Sequence, residues 1–554
     1  MDALLVTGRV RTFDPARPWA DAVAVLDGRI AAVGSVADCR AALPAGADRV
    51  AGSAVLPGFT DAHVHPLFGG LDLIGCNLHD TGDTGDTGDA AGYLRLVEAF
   101  GRAHPDALWI TGGGWALPAF PGGLPTAQQL DAVTADRPAY LVNTDRHGAW
   151  VNTAALRAAG LDATVPDPPD GRIERAPDGS PTGMLHEGAA TLVARAMPAP
   201  SPAHQRAALL AAQRHLHAQG ITAWQDAIVG HYLGYPDPLP VYEDLAGRGE
   251  LTGTVELALW WDRARGPEQI TDLVARRERV RALAGPPRSA GPGARIGAGT
   301  VKIMVDGIVE NRSAAVHLPY LNQLPPATGT LYLSGDELLG AVRAAESAGF
   351  AVHLHAIGDR AVTHALDAIA AAGGGRVAAR PRHHLAHLQL VAPNDVPRFA
   401  ALGVTATLQM LWAAEDDQVR TLCRPLLGDR RVDGQYPFAD LHRAGAPLAA
   451  GSDWPVSSAS VLAQVQVALT RRPIESPRAP ALGPDQALDL DTALAACTVG
   501  GGALHGRDTA IRPGATADLV VLGADPYREP AGQLGQIPVL ATVAGARIVH
   551  RAAG

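Results

Sequence analysis

The chain has 554 residues, with 46 Lys plus Arg against 56 Asp plus Glu, a formal charge of −10 and 47% apolar residues. At roughly 150 residues per domain this admits several domains or one large enzyme fold with additions. An acidic chain without a basic run lacks the electrostatic footprint of a nucleic-acid binder, and no stretch approaches the ~18 uninterrupted apolar residues of a membrane span.

The first residues carry neither a basic region nor a long apolar one, so the expectation is a cytoplasmic protein whose partner is a small-molecule substrate. Residues 1–57 alternate short apolar runs (4–6, 22–25, 29–34) with Gly and Asp, and Asp27-Gly28 is a hairpin signal. The other end matches in style, with runs at 517–522, 539–543 and 547–549. Neither end offers enough strands alone, so the two predict one small β-sandwich domain, 1–57 plus 508–554. Between them, apolar β-rich runs fall at 54–62, 221–228, 255–260, 300–305, 350–356, 383–388, 403–410 and 447–453. Helix-like segments separate the later runs, such as 336–349, 359–372, 393–402 and 485–497. Eight strands alternating with helices predict a parallel α/β fold, a (β/α)8 TIM-like barrel over 58–507. The excess of residues after the first strand, about 70–200, is too long for a loop and predicts an inserted domain. Within it, 81–89 repeats Thr-Gly-Asp three times; the acidic repeat invites a calcium role, but the EF-hand pattern is absent. Cys39, Cys76, Cys423 and Cys497 form no CxxC pair, so no disulfide framework or zinc finger is indicated.

Of the 46 basic residues only one, Lys302, is a lysine. Where Arg serves almost every cationic position, the surviving Lys is a candidate for chemistry that Arg cannot perform, because an amine can lose its proton and react. His63 and His65 end the first strand at i and i+2, on one face, where they can share a metal. Lys302 lies on the fourth run, His353 and His355 on the fifth, His387 on the sixth and Asp453 at the end of the eighth. All fall at or near strand C-termini, the face on which barrels build active sites.

The stretch Pro57-Gly-Phe-Thr-Asp-Ala-His-Val-His65 resembles the opening signature of the amidohydrolase superfamily. Val301–Gly307, His355-Ala-Ile-Gly-Asp-Arg-Ala361, His387-Leu-Gln389 and Gly451-Ser-Asp-Trp-Pro-Val456 are similar to its amidohydrolase 3 branch, which includes N-substituted formamide deformylases. One departure is Ala386, where the branch often has Glu. The resemblance implies a binuclear centre, with two zinc ions as the expected metals. His63 and His65 would hold the more buried ion, His355 and His387 the other, carboxylated Lys302 would bridge them, and Asp453 would complete the site and move the proton. Imidazoles suit zinc, and a carbamate supplies a bridging anion. An unmodified Lys302 and a mononuclear site of His63, His65, His355 and Asp453, as in related deaminases, are the alternatives.

The expected reaction is hydrolysis of the C–N bond of a small-molecule amide or N-formyl amine by a metal-activated water. A deaminase or cyclic-amide hydrolase is the runner-up, and a non-catalytic ligand-binding protein the reading from another class. His353 and Asp359 are expected behind the ligands, Asp359 also being suited to cap a helix. Trp115, His147, Trp150, Asp306, Trp412 and Trp454 are candidates for substrate contact, with Glu310 and Arg312 near Lys302 as further polar groups. A homodimer is the candidate assembly.

Overall fold

Eight parallel strands follow one another in order around the core: β1 (Phe59–Val64), β2 (Ile221–Val229), β3 (Thr254–Trp260), β4 (Arg295–Met304), β5 (Ala351–Ala356), β6 (His384–His387), β7 (Thr405–Leu408) and β8 (Leu448–Ala450). The computed structural model describes residues 3–79, 89–232, 235–284, 295–373, 382–545 and 547–552. Strands covered on both faces must be apolar throughout, and β1, β2 and β5 are buried at every position. Helices return the chain between the later strands. Gly335–Ser347 starts with a capping box of Ser334 and Glu337, and Asp359–Gly373 follows β5 directly. Past the strand ends β8 meets β1: Asp453 N–H donates to His63 O (2.7 Å) and His65 N–H to Trp454 O (2.8 Å). Gly451 permits this approach, since a Cβ there would lie 2.7 Å from the His63 backbone nitrogen. The sheet is thus an almost closed barrel, as the run count predicts.

The 54–62 run divides between two sheets. Asp48–Pro57 joins a seven-stranded sheet drawn from both ends of the chain, and the barrel takes over at Phe59. The divide is Gly58, packed so tightly on Thr222 that any side chain would collide with it. In the terminal sheet Ala3–Arg11 pairs in parallel with Asp48–Pro57, which pairs antiparallel with Leu519–Leu522. Asp27 and Gly28 both have positive φ (49° and 84°), as the two-residue turn of a tight hairpin requires.

Between β1 and β2 lies a third sheet of six strands, running in space from Gly171–Arg175 through Pro181–Glu187, Gly148–Val151, Ala139–Asn143 and Ile110–Trp115 to Cys76–Asn77. The Thr-Gly-Asp repeat falls outside the described residues except for Asp89, whose carboxylate accepts from Gly92 N–H (2.6 Å) and caps the helix Ala90–Ala103.

Glu256 on β3 illustrates a cost carried far from the strand ends that face the cavity. Burial pushes its pKa up to about 7, although Gly299 N–H donates to Oε1 (2.5 Å). Both folded and unfolded chains hold this proton below pH 4.5, the ordinary value. As pH rises through 4.5 the unfolded chain ionises first, so stability falls and the loss is complete above the folded value, reaching about 3 kcal/mol at most. Glu256→Gln keeps the acceptor and removes the charge. Its unfolding free energy is expected to exceed wild type at about pH 8 and to equal it below about pH 4.5. An equal change at both pH values would contradict this origin.

Candidate functional site

The strand C-termini open into a cavity of about 930 Å³ whose lining includes His63, His65, Lys302, His355, His387 and Asp453. Their positions follow from register. Lys302 lies abreast of His353, Met304 of His355 and Ala356 of His387, so successive strands deliver side chains to one floor. Asp453 faces the two β1 histidines, its Oδ1 lying 3.3 Å from His63 Nε2 and 3.1 Å from His65 Nε2. His387 Nδ1 is 3.7 Å from Asp453 Oδ2, and the His355 and His387 ring centroids are 4.3 Å apart. One ligand atom each from His63, His387 and Asp453 falls within 4.8 Å of the others.

The electrostatics suit metal ligation. Burial, then the charge of Lys302, pushes His63 down to about 3, and burial holds His355 and His387 well below the ordinary imidazole value. These rings are therefore neutral, the form that donates a lone pair to a metal. His63 Nδ1 lies 2.8 Å from His353 Nε2. If His63 Nδ1–H donates there, its Nε2 is free toward Asp453, which gives His353 the positioning role expected of it. Both nitrogens of His387, Nδ1 of His65 and Oδ1 of Asp453 are buried without a hydrogen-bond partner among the described residues. Unpartnered buried donors and acceptors of this kind are costly unless something else satisfies them. Burial disfavours the Asp453 charge, yet the imidazoles of His63 and His65 hold its carboxyl well below the usual range. Lys302 is 1% exposed, and burial pushes its amine down to about 7 against the opposing effect of Asp453.

His387 (φ 79°), Leu388 (φ 52°) and Asp453 (φ 57°) all adopt left-handed backbone without being glycine. Such residues cost of order 1 kcal/mol each and persist where their surroundings over-determine them. His387 N–H donates to Gln409 Oε1 (2.7 Å) and Leu388 N–H to Ala356 O (3.0 Å).

The remaining expectations divide. His147 and Trp412 line the cavity, Trp412 stacking on His387 at 5.2 Å between centroids. Trp115 and Trp150 do not reach it. Both are fully buried in the inserted sheet, with indole N–H groups donating to Leu141 O and Thr126 O. Trp454 lies behind the site, stacked on His215 (4.7 Å). Asp306 does not line the cavity: its carboxylate lies 3.9 Å from His355 Nε2 and accepts from the backbone N–H groups of Ala315, Ile357 and Gly358, tying together the loops after β4 and β5. Asp359, the first residue of its helix, accepts from His317 N–H (2.9 Å) and so ties the loop after β4 to the helix start.

Two features escape a reading by spacing. Asp61 accepts from Ser452 N–H (3.0 Å) and Ser452 Oγ–H (2.5 Å), fastening β1 to the segment that carries Asp453. Glu187, from the inserted sheet, lies 2.8 Å from His147 Nδ1 and also accepts from Ser313 Oγ–H (2.8 Å). Burial opposes the His147 charge, but Glu187 outweighs it and lifts His147 to about 9. His147 therefore presents an imidazolium to the cavity, 5.7 Å from His355 between ring centroids.

Residues 50–550 match the model of a family described as the amidohydrolase family. Curated relatives include the protein LONG AFTER FAR-RED 3 of Arabidopsis thaliana, 29% identical over 99% of this chain and 91% of that protein. An N-substituted formamide deformylase of Arthrobacter pascens is 27% identical over 98% of this chain and 97% of its own. Among solved structures, a metal-dependent hydrolase of uncharacterised activity from Pyrococcus horikoshii superposes with a TM-score of 0.72 at 22% identity, covering 96% of this chain and 99% of that one.

Proposed function

The chain belongs to the amidohydrolase family, and from that premise we propose that it is a metal-dependent hydrolase that cleaves the C–N bond of a small-molecule amide or N-formyl amine. The observation that carries this reading is the cluster of buried histidines around Asp453 at the cavity floor: His63 Nε2 and His65 Nε2 lie 3.3 and 3.1 Å from its carboxylate, while both nitrogens of His387 and Nδ1 of His65 have no hydrogen-bond partner among the described residues. The similarity to a formamide deformylase supports the choice of bond.

The donor set of imidazoles, one carboxylate and one lysine fits divalent zinc, and the proposed holders are His63, His65, His355, His387, Asp453 and Lys302. Two ions and a carboxylated Lys302 are the preferred arrangement: an amine that is partly neutral near pH 7 has a lone pair to add to CO2, and the carbamate would supply an anionic ligand. When bound, such ions lower the pKa of water and polarise a carbonyl. The chain's own groups supply the rest. Asp453, kept ionised at rest by His63 and His65, takes a proton from the attacking water and returns it to the departing nitrogen. His147, held as an imidazolium by Glu187, hydrogen-bonds an oxygen of the substrate from the cavity wall. Trp412 covers His387 and limits water access to that corner. The cytoplasm remains the proposed location; no described helix is long and apolar enough to cross a membrane.

The reading is tested by a screen of N-formyl amines and simple amides for amine release, before and after chelation. Turnover lost on chelation by at least about 100-fold and restored by zinc is the expected result. Ammonia release from amino-substituted heterocycles, without amide cleavage, would instead make the chain a deaminase.

A further inference from the structure

Away from the histidines, three chain segments bring carboxylates to the same cavity: Asp145 from the inserted sheet, Glu310 from the loop after β4 and Asp416 from the loop after β7. Glu310 receives its hydrogen bonds, from Gln418 Nε2–H (2.8 Å) and Cys423 Sγ–H (3.2 Å), on Oε1. Asp145 receives His147 N–H (3.0 Å) on Oδ1. Among the described residues no hydrogen bond reaches Glu310 Oε2 or Asp145 Oδ2, and no Lys, Arg or His forms an ion pair with any of the three. Their neighbours differ: Arg420 pairs with Asp417, and Arg424 is 2.9 Å from Glu415. The nearest imidazolium, His147, is already held by Glu187. Loss of hydration, joined by the charge of Glu310, raises Asp145 to about 6 against the opposing charge of His147.

A second observation points to a ligand. Tyr436 lines the cavity and is 3% exposed, yet its hydroxyl forms no hydrogen bond among the described residues, and its charged neighbours include Glu310 and Asp416. It is held there at φ 53°. Its N–H donates to Gln389 O (2.9 Å), and its carbonyl accepts from the fully buried Arg471 (3.1 Å). A buried tyrosine fixed in a strained backbone with an idle hydroxyl is preorganised for a polar group that arrives from outside.

We propose that the substrate carries, at the end remote from the bond that is broken, an organic cation (ammonium or guanidinium) that seats among Asp145, Glu310 and Asp416 and hydrogen-bonds the Tyr436 hydroxyl. The inference rests on the amide-hydrolase reading for the identity of the reacting end. An ammonium supplies N–H donors to the idle carboxylate oxygens and neutralises their mutual repulsion, and charge-assisted bonds of this kind outweigh neutral ones. The substrate class is thus an N-acyl or N-formyl amine with a cationic tail.

The test uses two probes that resist hydrolysis, N-pentylmethanesulfonamide and its ω-ammonium counterpart, titrated calorimetrically into the zinc-loaded full chain. The cationic probe is expected to bind about tenfold more tightly, a preference that shrinks to about twofold in Glu310→Gln and in Asp416→Asn. The second variant is at the solvent-exposed rim, so a folding defect in the first does not shield the proposal. Equal affinity of the two probes, failure of both to bind, or a preference that survives both variants would overturn it. So would tight calcium binding that is lost in Glu310→Gln while the ammonium probe shows no preference, which would assign the cluster to an inorganic cation. Because neither probe is cleaved, a negative amide screen would sink the reaction assignment and leave this result standing on its own.

Discussion

Lys302→Arg is expected to abolish stable metal binding and to lower amide turnover by about 10³-fold, roughly 4 kcal/mol. The substitution keeps a cation and a long stem, so a lysine serving only as a buried positive charge would tolerate it in part. The physical difference is the proton. Burial brings the Lys302 amine down to about 7, whereas a guanidinium stays charged in proteins and cannot become a bridging anion. Arg would also place a permanent cation beside His63, where it keeps the imidazole neutral but repels a divalent ion. Elemental analysis of the purified variant, with circular dichroism to confirm that it has folded, is the check. Full metal content with turnover within about tenfold of wild type would show that no carbamate is involved.

Asp453→Asn is the second large effect, with kcat falling by about 10³ to 10⁴ when normalised to bound metal. Asn preserves size and can still point an oxygen at His63 and His65, so the positive-φ segment anchored by Asp453 N–H on His63 O is retained. What disappears is the basic carboxylate that accepts the water proton and passes it to the leaving nitrogen. A pH profile separates the two roles proposed for this residue. Loss of the proton carrier flattens the acidic limb of kcat, whereas loss of a ligand alone lowers metal content and leaves the shape of the profile. Turnover per metal within about tenfold of wild type would remove Asp453 from proton transfer.

The barrel was legible because a strand buried on both faces has no room for alternation. Val301-Lys-Ile-Met-Val305 and Ala351–Ala356 read as apolar runs interrupted only by Lys302, His355 and, behind them, His353, so the exceptions marked the site. Tight turns were equally readable, since Asp27-Gly28 provides two residues that tolerate positive φ. The run at 54–62 reads as one strand because apolar character continues across the change of sheet, which in the structure falls at Gly58, packed on Thr222. Tryptophan was the least informative residue: Trp115 and Trp150 fill the core of the inserted sheet while Trp412 faces the cavity, and local sequence does not distinguish these fates. Asp306 looked like a free carboxylate beside Lys302 but is occupied by three backbone donors from loops distant in sequence. The His147–Glu187 pair spans 40 residues and has no periodicity to betray it, so the charge of that imidazole emerges only from the fold.

Whether these histidines, Asp453 and Lys302 hold metal together with a carbamate on Lys302 is decided by metal content per chain together with intact mass under non-denaturing conditions. The protein must be prepared without chelator. About two divalent ions per chain, and a mass excess of one CO2 that is lost in Lys302→Arg, are expected. Reproducible absence of bound metal, even after incubation with zinc and bicarbonate, would contradict this expectation.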